Sequence, residues 1–198
     1  MNGAMVEEAR PGLGSRPDGE LLRLARGRAG DAAFKELYRR HRPPVLGFLV
    51  RLLRDAAAAE DALQETFLRV HQHLDRHDPA RPFRPWLFRI ARNVGLDALA
   101  SGRKPGRTTA GDASPSSTSD RVPLDAARSE SLDATREALD TLPDDMRALL
   151  IQRHGLGLKL EELATSWDLD ERTIRTRLQA AVDRLTQALL ARRGGGVA

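Results

Sequence analysis

Apolar residues recur at helical spacing in successive stretches of this chain, and β-branched runs are absent. Glu20–Arg28 reads as a short helix with Leu21, Leu22, Leu24 and Ala25. Asp31 caps a second helix carrying Phe34, Leu37 and Tyr38. Pro43-Pro44 is expected to break or kink that run before Val45, Leu46, Phe48, Leu49, Leu52 and Leu53 continue it. Ala56–Leu74 is the next helix, with Leu63, Phe67, Val70 and Leu74 as its buried stripe; Asp61, Gln64, Glu65 and Leu68 share another face. A loop with Pro79, Pro82 and Pro85 then leads into a helix whose apolar face is Trp86, Leu87, Ile90, Ala91 and Val94. Pro85 sits in the first turn, where a missing N–H costs no bond. Further on, Thr141-Leu-Pro-Asp-Asp starts a helix that buries Met146, Leu149 and Leu150. After a turn at Gly155–Gly157 comes a helix over Leu160–Trp167. A second turn, Asp168-Leu-Asp170, leads to a long helix over Glu171–Leu190, capped by Asp170. Its stripe is Ile174, Leu178, Ala181, Val182 and Leu185.

Between these two groups of helices, residues 101–130 carry Gly, Pro, Ser and Asp with almost no apolar periodicity, and predict a flexible linker. A coil of ~30 residues spans roughly 30 Å and stretches to about 100 Å. That reach covers sites two turns of DNA apart, roughly 70 Å. Residues 1–18 and 193–198 read as disordered tails. The abundance of Ala, Leu and Arg and the scarcity of aromatics complete an all-α picture: two small helical domains, 19–100 and 131–192. The absence of cysteine excludes disulfides and thiolate metal or redox sites. No apolar run approaches a membrane span, and Met1–Asp18 lacks the apolar core of a signal peptide, so a cytoplasmic protein without membrane insertion is expected.

Charge separates the two groups. From Gly19 to Lys104, 17 Lys and Arg oppose 10 Asp and Glu, a net +7; from Ser131 to Ala198 the count is 10 against 11, a net −1. Phosphate attraction therefore concentrates in the first. The stiff loop with Arg81, Phe83 and Arg84, followed by a helix exposing Arg89, Arg92 and Asn93, suits single-stranded nucleic acid. Guanidinium meets phosphate, an aromatic can stack, and a rigid loop can form a pocket for an extruded base. The alternative is a basic surface helix with its Trp in the core. Leu68 ringed by Asp61, Gln64 and Glu65 suits docking on a basic protein surface, against an ordinary solvated acidic face. A metal site from Glu60, Asp61, Glu65, His71 and His73 is disfavoured, because those side chains do not converge on one helical face. No cofactor is expected. In the second group, a short helix, a tight turn and a basic-fronted helix form the helix-turn-helix arrangement, whose second helix enters the major groove. Arg172, Arg175 and Gln179 lie on one exposed stripe, and Thr173, Arg177, Ala180 and Arg184 on the next. An ordinary helical hairpin with surface arginines is the alternative there.

Three runs resemble bacterial RNA polymerase sigma factors of the sigma-70 family, in the compact extracytoplasmic-function group. They are Ala59-Glu-Asp-Ala-Leu-Gln-Glu-Thr-Phe-Leu-Arg-Val, Arg81-Pro-Phe-Arg-Pro-Trp-Leu-Phe-Arg-Ile-Ala-Arg-Asn, and Leu142-Pro ahead of Glu161-Glu-Leu-Ala and Thr173-Ile-Arg-Thr-Arg-Leu. The resemblance implies a region 2 helical bundle and a region 4 helix-turn-helix. It implies that Asp61, Gln64 and Glu65, with Leu68 beside them, dock on the clamp helices of the largest core-polymerase subunit. The loop from His77 through Asp78 and Arg81 to Phe83 would capture a flipped non-template base of the −10 element, with Trp86, Arg89, Arg92 and Asn93 on the adjoining helix. Arg175, Thr176 and Gln179, beside Arg172, Thr173 and Arg177, would face the −35 element. An anti-sigma factor is expected as a further partner on the same ground. The implied function is promoter-specific initiation without catalysis; the alternatives are a stand-alone helix-turn-helix regulator and a metal-dependent nuclease. One departure stands out: Ala180 and Val182 occupy positions where the family commonly has Arg. An Arg bidentate to guanine discriminates by ~1–3 kcal/mol, so a different or weaker −35 readout follows.

Overall fold

The computed structural model describes residues 12–27, 30–78, 80–102 and 134–194, and among them all regular structure is helical. The first body contains α1 (Asp18–Ala25), α2 (Gly30–Leu53), α3 (Ala56–Gln72) and α4 (Phe83–Gly102). The second contains α5 (helical over residues 134–140), α6 (Asp144–Leu150), α7 (Leu160–Trp167) and α8 (Glu171–Gly194). The expected linker lies almost wholly outside the described residues, as do residues 1–11 and 195–198 of the expected tails.

The stripes read from the sequence become the core of the first body. Leu21 and Leu22 of α1, Leu37, Phe48, Leu49 and Leu52 of α2, Leu63 and Val70 of α3, and Leu87, Phe88 and Ala91 of α4 are fully buried. Each large apolar side chain removed from water contributes about 1.5–3 kcal/mol. Phe48 and Phe88 meet edge to face at 6.0 Å. Close approach of α2 and α4 depends on Gly95, where a Cβ would fall 2.7 Å from Leu52 Cδ2. Before α3, the left-handed Arg54 (φ 60°) turns the chain. Asp55 then caps the helix by accepting the Ala58 N–H at 3.0 Å.

Two expectations change here. Pro43-Pro44 does not break α2, which runs unbroken through both prolines. Two N–H donors are missing, and burial of Val45, Phe48, Leu49 and Leu52 just beyond holds the chain helical. The N-terminal tail is not disordered over residues 12–18. Leu13–Ser15 forms a 3-10 turn, and Arg40 donates to the carbonyls of Leu13, Gly14 and Arg16 and to Asp18. His41 Nε2 also bonds Asp18 at 2.7 Å, and holds that carboxyl below the usual range, with Arg40 adding to the effect.

In the second body Leu142, Leu150 and Ala181 pack with Met146, Leu178 and Leu185. Asp168 closes α7 in the left-handed conformation (φ 54°). Asp170 caps α8, accepting the Thr173 N–H at 2.8 Å and its hydroxyl at 2.7 Å. Val182 does not join the buried stripe; it is 37% exposed. The two bodies are joined rather than separate: Leu149, Ile151, Leu158, Leu163 and Ile174 belong to the same core as Phe48 and Phe88.

Candidate polymerase and nucleic-acid interfaces

The α3 face keeps its predicted character. Asp61 and Gln64 are exposed, Glu65 is half-buried, and Leu68 is 52% exposed among them. Glu65 is held by Arg69 at 2.6 Å, and Arg69 also reaches Asp97 of α4 at 3.6 Å. An apolar side chain left in water inside a polar rim is the usual anatomy of a protein-docking patch.

The loop after α3 has a buried root and an exposed tip. His77 is 6% exposed and stacks on Trp86 with centroids 4.4 Å apart and planes 15° from parallel. Burial pushes its imidazole below the ordinary histidine range, and Nε2 is buried without a hydrogen-bond partner. Arg26, at the end of α1, ties this root down by donating through Nε to the Leu74 carbonyl at 3.0 Å and through Nη2 to the His77 carbonyl. At the tip, Asp78 accepts the Ala80 N–H at 2.9 Å, and the Arg81 side chain is 77% exposed.

Phe83 is not the exposed stacking platform expected from the sequence. It is 3% exposed, with its ring 5.1 Å from His41 and 5.8 Å from Trp86. The reason is local: α4 begins at Phe83, which puts it one turn before buried Leu87 on the same face. His77 likewise belongs to the root of the loop and is not offered to a base.

Along α4, Asn93 is exposed and Arg89 half-buried, whereas Arg92 is only 9% exposed. Its guanidinium lies 4.2 Å from the centroid of Trp167 and donates to the Ser166 carbonyl at 3.0 Å. Burial brings Arg92 down to about 10, with Arg89 and Arg177 adding repulsion. Arg84 turns toward the second body as well, donating to the Leu156 carbonyl at 2.7 Å and to Glu162 at 3.4 Å. A cleft of about 730 Å³ separates Arg76, Arg81 and Arg89 on the first body from Asp168 and Asp170 on the second.

At the front of α8, Arg172, Arg175, Thr176, Arg177 and Gln179 are exposed. Thr173 is half-buried and its hydroxyl is spent on the Asp170 cap. Gln179 donates to Asp183 at 2.9 Å, so a carboxylate sits beside the expected base reader. Ala180 is half-buried and Val182 exposed, which leaves this stretch of helix without a cation.

The sequence reading missed Arg26, Gln152 and Trp167. Gln152 is fully buried, accepts the Trp167 Nε1–H at 2.7 Å and donates to the Phe88 carbonyl at 3.2 Å. No periodicity marks such residues, because their partners lie far away in the chain.

Residues 37–104 match the family described as Sigma-70 region 2, and residues 132–185 match Sigma-70, region 4. The RNA polymerase sigma factor CarQ of Myxococcus xanthus is 34% identical over 161 residues, covering 79% of this chain and 89% of CarQ. The ECF RNA polymerase sigma factor SigL of Mycobacterium tuberculosis is 36% identical over 173 residues, covering 85% of this chain and 96% of SigL. Among solved structures, CnrH in complex with the cytosolic domain of CnrY is similar with a TM-score of 0.65 and 26% identity, covering 88% of this chain and 97% of that one.

Proposed function

Because the chain belongs to the sigma-70 family of RNA polymerase sigma factors, in its extracytoplasmic-function group, we propose how its surface divides the work of initiation. Asp61, Gln64, Glu65 and Leu68 dock on the clamp helices of core polymerase. Asp78, Arg81, Arg89 and Asn93 engage the non-template strand of the −10 element, whereas Arg84 and Arg92 are taken up by contacts with the second body. The exposed front of α8, led by Arg172, Arg175, Thr176, Arg177 and Gln179, meets the duplex at −35. The protein works in the cytoplasm and has no catalytic step of its own; bond formation stays with the polymerase. Unpairing costs a few kcal/mol, and arginine contacts to phosphate help offset it. By analogy with CnrH, which was solved with the cytosolic domain of CnrY, a protein partner that holds the factor inactive is part of the proposal.

The observation that carries the docking assignment is Leu68, 52% exposed on an acidic face of a helix whose opposite side is buried. Asp61→Arg combined with Gln64→Ala changes only exposed side chains, so the variant folds and loses co-purification with core enzyme. Retained co-purification overturns the assignment. Arg81→Ala with Asn93→Ala spares core binding and abolishes promoter opening, read by permanganate reactivity of unpaired thymines.

A further inference from the structure

The loop that follows α3 is fixed at both ends, and both fixings lead back to α1. At its start, α3 gives way to a 3-10 turn over Leu74–Arg76. A helix end of this kind leaves carbonyls without partners in the helix and carries partial negative charge. Arg26 meets both needs. Its Nε donates to the Leu74 carbonyl at 3.0 Å, and its Nη2 spans from that carbonyl to the His77 carbonyl. The Leu74 side chain is buried, and His77 lies flat against Trp86. At the other end of the loop, Phe83 meets the ring of His41, and His41 bonds Asp18, the first residue of α1. Asp78, Arg81 and Pro82 stay exposed between these two posts.

The packing around α1 aims Arg26. Just after the helix, Gly27 donates to the Leu24 carbonyl and Gly30 to the Gly27 carbonyl, each at 3.0 Å. Gly30 approaches the Ala25 carbonyl so closely that a Cβ there would fall 2.7 Å from it. With Leu21 and Leu22 fully buried, α1 cannot roll, and its guanidinium is delivered to a loop 48 positions further on. Other arginines of this body are spent locally: Arg39 pairs with Glu36 and Arg69 with Glu65, each within one turn of its own helix. A planar fork committed to two carbonyls of a distant loop fixes backbone direction, which a point charge does less well.

We propose that Arg26 is a positioning residue for capture of the −10 base: it braces the root of the loop so that the tip is held in one shape for the unpaired strand. The inference rests on the functional reading of that loop given above. Rigidity has to come from such a support, because a binding tip is only as precise as the groups that hold it.

Holoenzyme made from core polymerase and the full chain is titrated with a fluorescent single strand carrying the −10 sequence of a promoter it opens. The same strand is then used with an abasic site at each position in turn. Wild-type holoenzyme should lose affinity sharply at the captured base. Arg26→Gln should bind the intact strand about tenfold or more weaker, the ratio that loss of a charge-assisted hydrogen bond corresponds to, and should no longer single out that position. Arg26→Lys, which keeps the charge without the fork, should fall between the two. Arg23→Gln makes the same charge change at an exposed position of α1 and should match wild type. Affinity for core polymerase should be the same in all four. If Arg26→Gln loses its helical circular dichroism, Arg26→Lys carries the test by the same criteria. Unchanged binding of the intact strand overturns the proposal. So does weaker binding that keeps the full abasic profile, since Arg26 would then add charge or bulk stability and not loop shape. A wild-type holoenzyme indifferent to every abasic site is a separate result, and would sink the functional reading of the loop instead.

Discussion

Two aromatic positions in and beside the loop that follows α3 show how far residue-scale chemistry decides what that loop can do. His77 is buried against Trp86, and its depressed imidazole favours the neutral form in the fold. The unfolded chain therefore takes up the proton first: stability from this group is intact above the ordinary histidine value of about 6.5 and is lost as pH falls below it. Two-dimensional NMR of the ring is expected to place the His77 midpoint below that value, and urea midpoints should drop between pH 7.5 and 5.5. A midpoint at or above 6.5 contradicts the burial argument. Phe83 makes a complementary case. Phe83→Ala removes a ring from the core and is expected to cost about 3–5 kcal/mol of stability, measured by urea unfolding. The Arg81→Ala change two residues earlier should leave stability almost untouched, because that side chain is 77% exposed. The burial of Phe83 was legible in principle, since Phe83, Leu87, Ala91 and Val94 recur at helical spacing. Flanking prolines and arginines made it look like a loop residue. Arg26 was not legible, because its carbonyl partners lie 48 and 51 positions further along the chain.

At the scale of the helices, local rules worked where both partners are local. The stripe Leu63, Phe67 and Val70 is buried as its spacing requires, and Asp170 caps α8 as its position before Glu171 requires. Those rules failed at Pro43-Pro44, where long-range packing overrides a local breaker. The structure leaves the helical ladder two donors short at that point, and an interior proline is about 3 kcal/mol poorer than alanine. Pro44→Ala restores one N–H and is expected to raise unfolding stability by roughly 1–3 kcal/mol, provided Val45 and Phe48 keep their places. Chemical denaturation of the variant checks this. A loss of stability would mean that α2 needs the proline geometry to direct its second half onto α3 and α4. The same distinction applies midway along α8, where Val182 fits the apolar pattern but stays 37% exposed beside the buried Ala181.

The whole molecule raises a question of charge that neither scale answers alone. A net +7 in one part of the chain and −1 in the other suggests that attraction between them holds the bodies together. The contacts argue otherwise. The ion pairs across the seam are partly exposed: the Arg84–Glu162 side chains are 36% and 20% accessible, and Arg54–Asp140 40% and 32%. Exposed pairs contribute about 0–1 kcal/mol and are screened by salt. The fully buried Leu149, Leu158, Leu163 and Ile174, together with the Gln152 bridge, carry most of the closure, and apolar contact does not weaken as ionic strength rises. DNA affinity behaves in the opposite way, falling steeply with salt because each neutralised phosphate releases counterions. Raising NaCl from 0.05 to 0.5 M is therefore expected to leave unchanged the distance between spin labels placed at Gln72→Cys and Gln187→Cys, both exposed positions in a chain without cysteine, while promoter-strand affinity drops by orders of magnitude. An increase in that distance with salt would make the seam electrostatic, and the cleft between Arg81 and Asp168 would then be the contact that matters.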